Sequence, residues 1–186
     1  MKCFSIDLDG TLLNSKQEIS VKNLQTLHDL KERGHYPILN TGRSYEDVIK
    51  FEPLKKLQLP IFCVNGSVLY SEKGELLYEA TIPTSIYEEV FQLIRKVDKE
   101  IGILVYTDHG GLPSTLPPLH NKTKAEILSL FRTFNYDAIL ENDHLKIYKL
   151  IAIVDYDDTE KIEKVKKNLL GKFNLSIASS FPNNAE

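Results

Sequence analysis

Cysteine is scarce in this chain: 186 residues hold two, Cys3 and Cys63, each inside a short apolar run. Neither has a neighbour at metal-ligand spacing, which excludes a disulfide-stapled scaffold and a zinc ribbon. Both thiols are expected to be reduced core residues. Long apolar runs are missing too. None approaches the ~20 residues that a membrane helix needs, and the N-terminus carries no signal-peptide pattern, so the cytoplasm is the expected location. Nor is there an excess of positive charge: 23 basic residues face 26 acidic ones, for a net charge of −3. The basic residues are spread along helical segments rather than gathered, so a nucleic acid partner has no electrostatic support. Neither a repeat nor a low-complexity segment is present. What remains, 42% hydrophobic and 26% charged, is ordinary for one large or two small globular domains.

The organising stretch is Phe4-Ser5-Ile6-Asp7-Leu8-Asp9-Gly10-Thr11-Leu12-Leu13. A short apolar strand over residues 2–6, read as buried, runs into a turn carrying two carboxylates two residues apart. Alternation along an extended chain lets Asp7 and Asp9 project to one side, and Gly10 allows a sharp turn beyond them. Such a pair suits nucleophilic catalysis assisted by a general acid. Two plainer readings compete. Asp7, Asp9, Thr11 and Glu18 fall at ligand places of a calcium loop, but the required sixth-place glycine is Leu12, and a strand precedes the loop rather than a helix. The other is an ordinary strand-end turn, where Asp and Gly are common.

Downstream, Ser20 caps a helix predicted over residues 21–33, with Val21, Leu24, Leu27 and Leu30 at helical spacing and Gly34 ending it. Tyr36 to Leu39 form a second strand that stops at Asn40-Thr41-Gly42-Arg43. Ser44 and Asp47 resemble a capping box for a short helix that Pro53 closes. Ile61 to Val64 form a third strand ending at Asn65-Gly66. Val68 to Tyr70 and Leu76 to Tyr78 follow as a hairpin. Strands alternating with helices predict a parallel sheet with right-handed crossovers, and ligands bind beyond the carboxyl ends of such strands. Asp7, Thr41 and Asn65 each follow a different strand, so this topology gathers them at one edge.

Beyond Pro83 the pattern becomes a second α+β unit. It comprises a helix over about 85–99, a strand over about 101–106, a Gly- and Pro-rich loop from Asp108 to Pro118 and a helix near 122–133. A strand over about 146–154, a helix near 158–170 and a strand over about 173–179 complete it. His109 and His120 lie in the loop without ligand spacing and read as solvent-exposed. In Asp155-Tyr156-Asp157-Asp158, Asp157 or Asp158 reads as the cap of the helix that follows rather than as a metal ligand.

The Asp7-Leu8-Asp9-Gly10-Thr11 run, Thr41-Gly42-Arg43 and Asn65-Gly66 together resemble the haloacid dehalogenase superfamily, and more narrowly its Cof-type sugar-phosphate phosphatase branch. The resemblance implies an α/β fold: a partial Rossmann-like parallel-sheet core over residues 1–82 with a large inserted α+β cap over 83–180. Residues 181–186 would begin a return to the core. The implied activity is hydrolysis of a small phosphorylated metabolite through an aspartyl-phosphate intermediate. Asp7 is then the nucleophile and Asp9 the acid and base, which calls for a raised Asp9 pKa in a desolvated site. Leu8 and Gly42, through their backbone, with Thr41, Arg43 and Asn65 are the implied phosphate or substrate contacts; for Arg43 a structural salt bridge is an equal reading. Mg²⁺ is the implied cofactor, with Asp7 and Asp9 as ligands, the latter through its carbonyl.

Members of this branch also carry, after the cap, a phosphate-holding Lys and a Gly-Asp-x-x-Asn-Asp run that completes the magnesium site. Neither occurs in these 186 residues. The expectation is therefore a truncated phosphatase with weak metal binding and little activity, and an uncovered core edge inviting self-association. The alternative is a non-catalytic phosphate-binding or interaction module built on the same fold.

Overall fold

The computed structural model describes residues 1–115, 139, 144–179 and 182–186. The chain forms two compact units, Met1–Ala80 and Thr81–Glu186.

In the first unit, β1 (Cys3–Asp7), α1 (Val21–Glu32) and β2 (Tyr36–Asn40) are followed by α2 (Tyr45–Val48), α3 (Glu52–Leu57) and β3 (Ile61–Cys63). The hairpin of β4 (Val68–Tyr70) and β5 (Leu76–Glu79) ends it. The sheet runs β1-β2-β3-β4-β5, parallel across the first three strands and antiparallel across the hairpin. Local chemistry sets the boundaries. Ser20 Oγ accepts the Asn23 amide at 3.1 Å to open α1, and Gly34 takes the left-handed conformation just past its end, at φ +70°. Ser44 Oγ accepts the Asp47 amide at 3.2 Å to open α2.

Pro53 does not close that helix. It lies in the first turn of α3, where a missing N–H loses no intrahelical bond. A second correction concerns β1, read as buried from its apolar run, although the resemblance also implied an uncovered core edge. Its residues are exposed except for the half-buried Ile6, because β1 lies at the sheet edge. Cys3 is accordingly exposed rather than in the core. Cys63, on the interior strand β3, is buried, and burial pushes its thiol up to about 12.

The second unit contains α4 (Thr84–Val97), β6 (Gly102–Thr107), β7 (Gly110–Thr115), β8 (Ile147–Ile153), α5 (Thr159–Leu169) and β9 (Asn184–Ala185). Its sheet is antiparallel in the order β7-β6-β8-β9. Tyr87, Val90 and Ile94 of α4 share a core with Ile103 and Val105 of β6, Ala152 of β8, and Ile162 and Val165 of α5. Helical and strand periodicities thus meet in one apolar layer.

The loop expected over 108–118 is in part a strand. Thr107 Oγ1 accepts the His109 amide at 3.1 Å and donates to the Gly110 carbonyl at 3.0 Å, closing a tight turn into β7. The Gly and Pro content that reads as loop is tolerated because β7 is an edge strand. The strand expected over 173–179 does not form. Asn184–Ala185 lies beside β8 instead, and Ala178 exchanges backbone bonds with Glu186, both at 2.9 Å. Asp158 occupies the N-cap of α5, yet its carboxylate bonds Lys161 at 2.8 Å rather than the helix backbone. The helix expected near 122–133, and His120, lie outside the described residues.

Candidate active site

Three strand ends line up in the first unit. Parallel register sets Asp7 beside Asn40, and Asn40 beside Phe62, so the loops leaving β1, β2 and β3 emerge at one sheet edge. In the first loop the Leu8 side chain is fully buried, and the Leu8 carbonyl accepts the amides of Leu12 at 3.1 Å and Leu13 at 2.8 Å. This anchored turn leaves Asp7 and Asp9 exposed. Gly10, at φ +76°, supplies the left-handed residue that the turn needs. Thr11 Oγ1 donates to Asp7 Oδ2 at 3.0 Å, which fixes one carboxylate oxygen.

The second loop reaches the first through Arg43. Its Nε donates to Asp9 Oδ2 at 2.8 Å and its Nη2 to Asp9 Oδ1 at 2.6 Å. This is the two-point fork that a planar guanidinium makes with a carboxylate. Nη2 also bonds Gln17 Oε1, and the guanidinium carbon lies 5.2 Å from the centroid of the Phe51 ring. Thr41 is buried, and its Oγ1 accepts the Arg43 amide at 3.2 Å.

The third loop is tied to the second by backbone. The Asn65 amide donates to the Thr41 carbonyl at 3.0 Å and the Val64 amide to the Arg43 carbonyl at 2.9 Å. Val64, Asn65 and Gly66 are all left-handed, at φ 51°, 56° and 93°. For a β-branched residue such as Val64 that is a strained conformation, held by its surroundings. The structure therefore joins Asp9, Thr41, Arg43 and Asn65 in one bonded set, with Asp7 at the end of the neighbouring strand.

One electrostatic expectation is overturned. Catalysis by Asp9 calls for a raised pKa, yet the Arg43 hydrogen bond holds its carboxyl below the ordinary carboxylate value of 3.8. Burial pushes the other way, but Asp9 is too exposed for that to prevail; the Arg43 charge and Gln17 reinforce the lowering. Three contributors escaped sequence reading. Thr11 carried a weak signal, its spacing from Asp7. Gln17 and Phe51 carried none, since they meet Arg43 only through the fold.

For Mg²⁺ the donor chemistry fits but the number is small. Asp7 offers a carboxylate and Asp9 a main-chain carbonyl, both hard oxygens. Among the described residues no three or more His, Cys, Asp or Glu side chains gather where a metal could sit. Nor is any described helix long and apolar enough to cross a membrane.

Comparison with known proteins identifies relatives of the whole chain. Phosphatase YwpJ of Bacillus subtilis is 40% identical over 119 residues, covering 60% of this chain and 40% of that protein. Pyridoxal phosphate phosphatase YbhA of Escherichia coli is 28% identical over 147 residues, covering 71% of this chain and 53% of YbhA. The chain thus spans about half the length of such relatives. Among solved structures, a haloacid dehalogenase-like hydrolase from B. subtilis superposes with a TM-score of 0.82 at 23% identity, covering all of this chain and 72% of its own. A family model described as haloacid dehalogenase-like hydrolase matches residues 4–186. Since that match takes in both units, the chain belongs to the haloacid dehalogenase-like hydrolase family.

Proposed function

We propose that this chain carries the nucleophile half of a Cof-type phosphatase acting on small phosphorylated metabolites, with residues 83–180 as its cap. The observation that carries this reading is the bonded set of strand-end loops, in which Asp7, Asp9, Thr41, Arg43 and Asn65 share one sheet edge. YwpJ and YbhA, both named as phosphatases, support it.

In this reading an Asp7 oxygen attacks phosphorus while the ester P–O bond breaks, giving an aspartyl phosphate and an alkoxide that takes a proton from Asp9. Asp9 then removes a proton from the water that attacks the acyl phosphate, which releases phosphate and restores Asp7. Thr11 orients the nucleophile. The Leu8 and Gly42 backbone and the Thr41 hydroxyl are placed to hold phosphate oxygens. Asp7 and the Asp9 carbonyl would hold Mg²⁺, which offsets the repulsion between a phosphate dianion and the attacking carboxylate. The Asp9–Arg43 fork must open before Asp9 can act as an acid, so the bonded state is a resting arrangement.

With Asp7 and the Asp9 carbonyl as the two protein oxygens assigned to the metal, and neither the phosphate-holding Lys motif nor the Gly-Asp-x-x-Asn-Asp run of this branch among the 186 residues, turnover by these residues should be weak. Deleting one electrostatic donor commonly costs on the order of 10²–10³ in rate. The open β1 edge, with Phe4 36% and Tyr36 50% exposed, supports self-association. A second reading, a phosphate-binding module without turnover, is favoured by a further feature that opposes catalysis, the Arg43 fork that holds the Asp9 carboxyl below its ordinary value.

Hydrolysis of p-nitrophenyl phosphate, with and without Mg²⁺, separates the two. Turnover that needs Mg²⁺ and vanishes in Asp7→Asn supports the phosphatase. Binding of inorganic phosphate without turnover supports the module. Turnover that survives Asp7→Asn would remove Asp7 from the mechanism and end the first reading.

A further inference from the structure

Residues 13–19 form a small hairpin beside the site, bridged at Leu13 and Ile19. The Asn14 amide donates to the Glu18 carbonyl and the Gln17 amide to the Asn14 carbonyl, both at 2.9 Å. The Asn14 side-chain oxygen accepts the amides of Lys16 at 2.9 Å and Glu18 at 3.0 Å. Asn14 organises the turn, as Asx residues do. The result places Gln17 at φ 61°, a left-handed position where glycine or asparagine is expected. A long, flexible side chain is an unfavoured choice there unless its amide is used.

It is used. Gln17 Oε1 accepts from Arg43 Nη2, the same nitrogen that donates to Asp9 Oδ1. The guanidinium is therefore held at one edge by Gln17 and flanked by the Phe51 ring, 5.2 Å from its centroid. Of the two carboxamide and carboxylate partners, the Asp9 fork is the one that the proposed reaction must break. The Gln17 bond need not break with it.

We propose that Gln17 is a positioning residue: its amide oxygen keeps the Arg43 guanidinium aimed at the site while the fork passes from Asp9 to an oxygen of a phosphorylated substrate. The inference rests on the phosphatase reading, because it takes Arg43 as the group that meets the substrate anion. It assigns Gln17 no contact with the reacting atoms.

A structural role and a positioning role predict different outcomes at this position. Glycine adopts φ 61° freely, so Gln17→Gly preserves the turn and removes only the side chain. Gln17→Met keeps the length and loses the acceptor, whereas Gln17→Glu keeps an acceptor oxygen. The probe is inorganic phosphate, titrated by calorimetry into the 186-residue chain. The Arg43 Nε–H resonance is followed by NMR without ligand. Both readouts stand apart from turnover.

Positioning requires that Gln17→Gly and Gln17→Met weaken phosphate binding about five- to tenfold, the scale of one ordinary hydrogen bond. They should also speed Arg43 Nε–H exchange without lowering the melting temperature, and Gln17→Glu should restore the slow exchange. Wild-type phosphate affinity and unchanged Arg43 exchange in both loss variants would overturn the inference, even if Arg43→Ala weakens phosphate binding. If Arg43→Ala leaves phosphate binding intact, or the wild type binds none, the reading of Arg43 as an anion contact fails and the inference goes with it.

Discussion

Strands β8 and β1 sit in opposite settings. In the second unit β8 lies between β6 and β9, with helices α4 and α5 sharing its core, and six of its seven residues are buried. In the first unit β1 pairs, among the described residues, with β2 alone, and of its five residues only Ile6 is even half-buried. Yet it is the open strand that ends in the two carboxylates. An interior strand is stabilised by burial and tolerates little change; an edge strand leaves its terminal residues accessible to a ligand and relies on the adjoining loops to place them. Here the loops do that placing through the Arg43 fork and the backbone bonds between residues 41–43 and 64–65.

The largest effects should therefore come from the buried strands of the second unit. Ile103 is fully buried between the helices and the sheet, so Ile103→Ala should cost about 3–4 kcal/mol, the transfer term plus the cavity left behind. Loss of hydrogen-exchange protection in β6 and β8 would report it unit by unit, which a single global melting curve does not. Lys149 comes next. Its Nζ is 3.1 Å from Glu186 Oε2 and 4.5 Å from the Tyr106 ring centroid, with both charged side chains under 10% exposed. Lys149→Met should cost about 3 kcal/mol, because it removes the counter-charge of a buried carboxylate. A cost below ~1 kcal/mol would mean that water already reaches Glu186.

At the open edge the same kind of change should matter little. Phe4 is 36% exposed and meets the His35 ring edge-on at 5.8 Å, so Phe4→Ala should cost under ~1 kcal/mol. A cost matching that of Ile103→Ala would show that the edge is covered in solution, and sedimentation velocity would then reveal an oligomer. The two thiols sharpen the contrast without mutation. Iodoacetamide at pH 8 should modify exposed Cys3 and spare Cys63, which is buried with its thiol pushed up to about 12. Mass spectrometry after brief exposure reads the outcome; equal labelling would mean that the sheet opens around β3.

The smallest effect is electrostatic. The folded Asp9 carboxyl titrates below its ordinary value of 3.8. Whatever stability the Arg43 fork contributes is thus fully present above that pH and is lost as pH falls through the lower folded value. Asp9 is solvent-exposed, so the contribution is small. An NMR titration should find the Asp9 carboxyl moving back toward 3.8 in Arg43→Ala, and no movement would mean that the fork is absent in solution.

Much of this was legible in the residues themselves. Ser20 and Ser44 mark helix starts and Gly34 a helix end, because a cap is a local hydrogen-bonding problem with few solutions. The α/β alternation and strand-end turns foretold a parallel sheet gathering Asp7, Thr41 and Asn65 at one edge, since strand direction and crossover handedness leave little choice. Burial of β1 was not legible. An apolar run reads alike at an edge and in an interior, and only the neighbours decide. The same holds for β7, whose glycines and proline are acceptable because, among the described residues, it pairs with β6 alone.

What the amino-acid order determined by itself is the set of short-range features: caps, turns, periodicity, and two carboxylates close together at a strand end. What only the tertiary structure decided is how those groups are charged and aimed. Asp9 and Arg43 are distant along the chain, and Gln17 and Phe51 meet the same guanidinium from other elements. A carboxylate's ionisation depends on what lies within a few ångströms of it. In this fold that neighbour is a guanidinium, which keeps Asp9 ionised where sequence reasoning called for a proton.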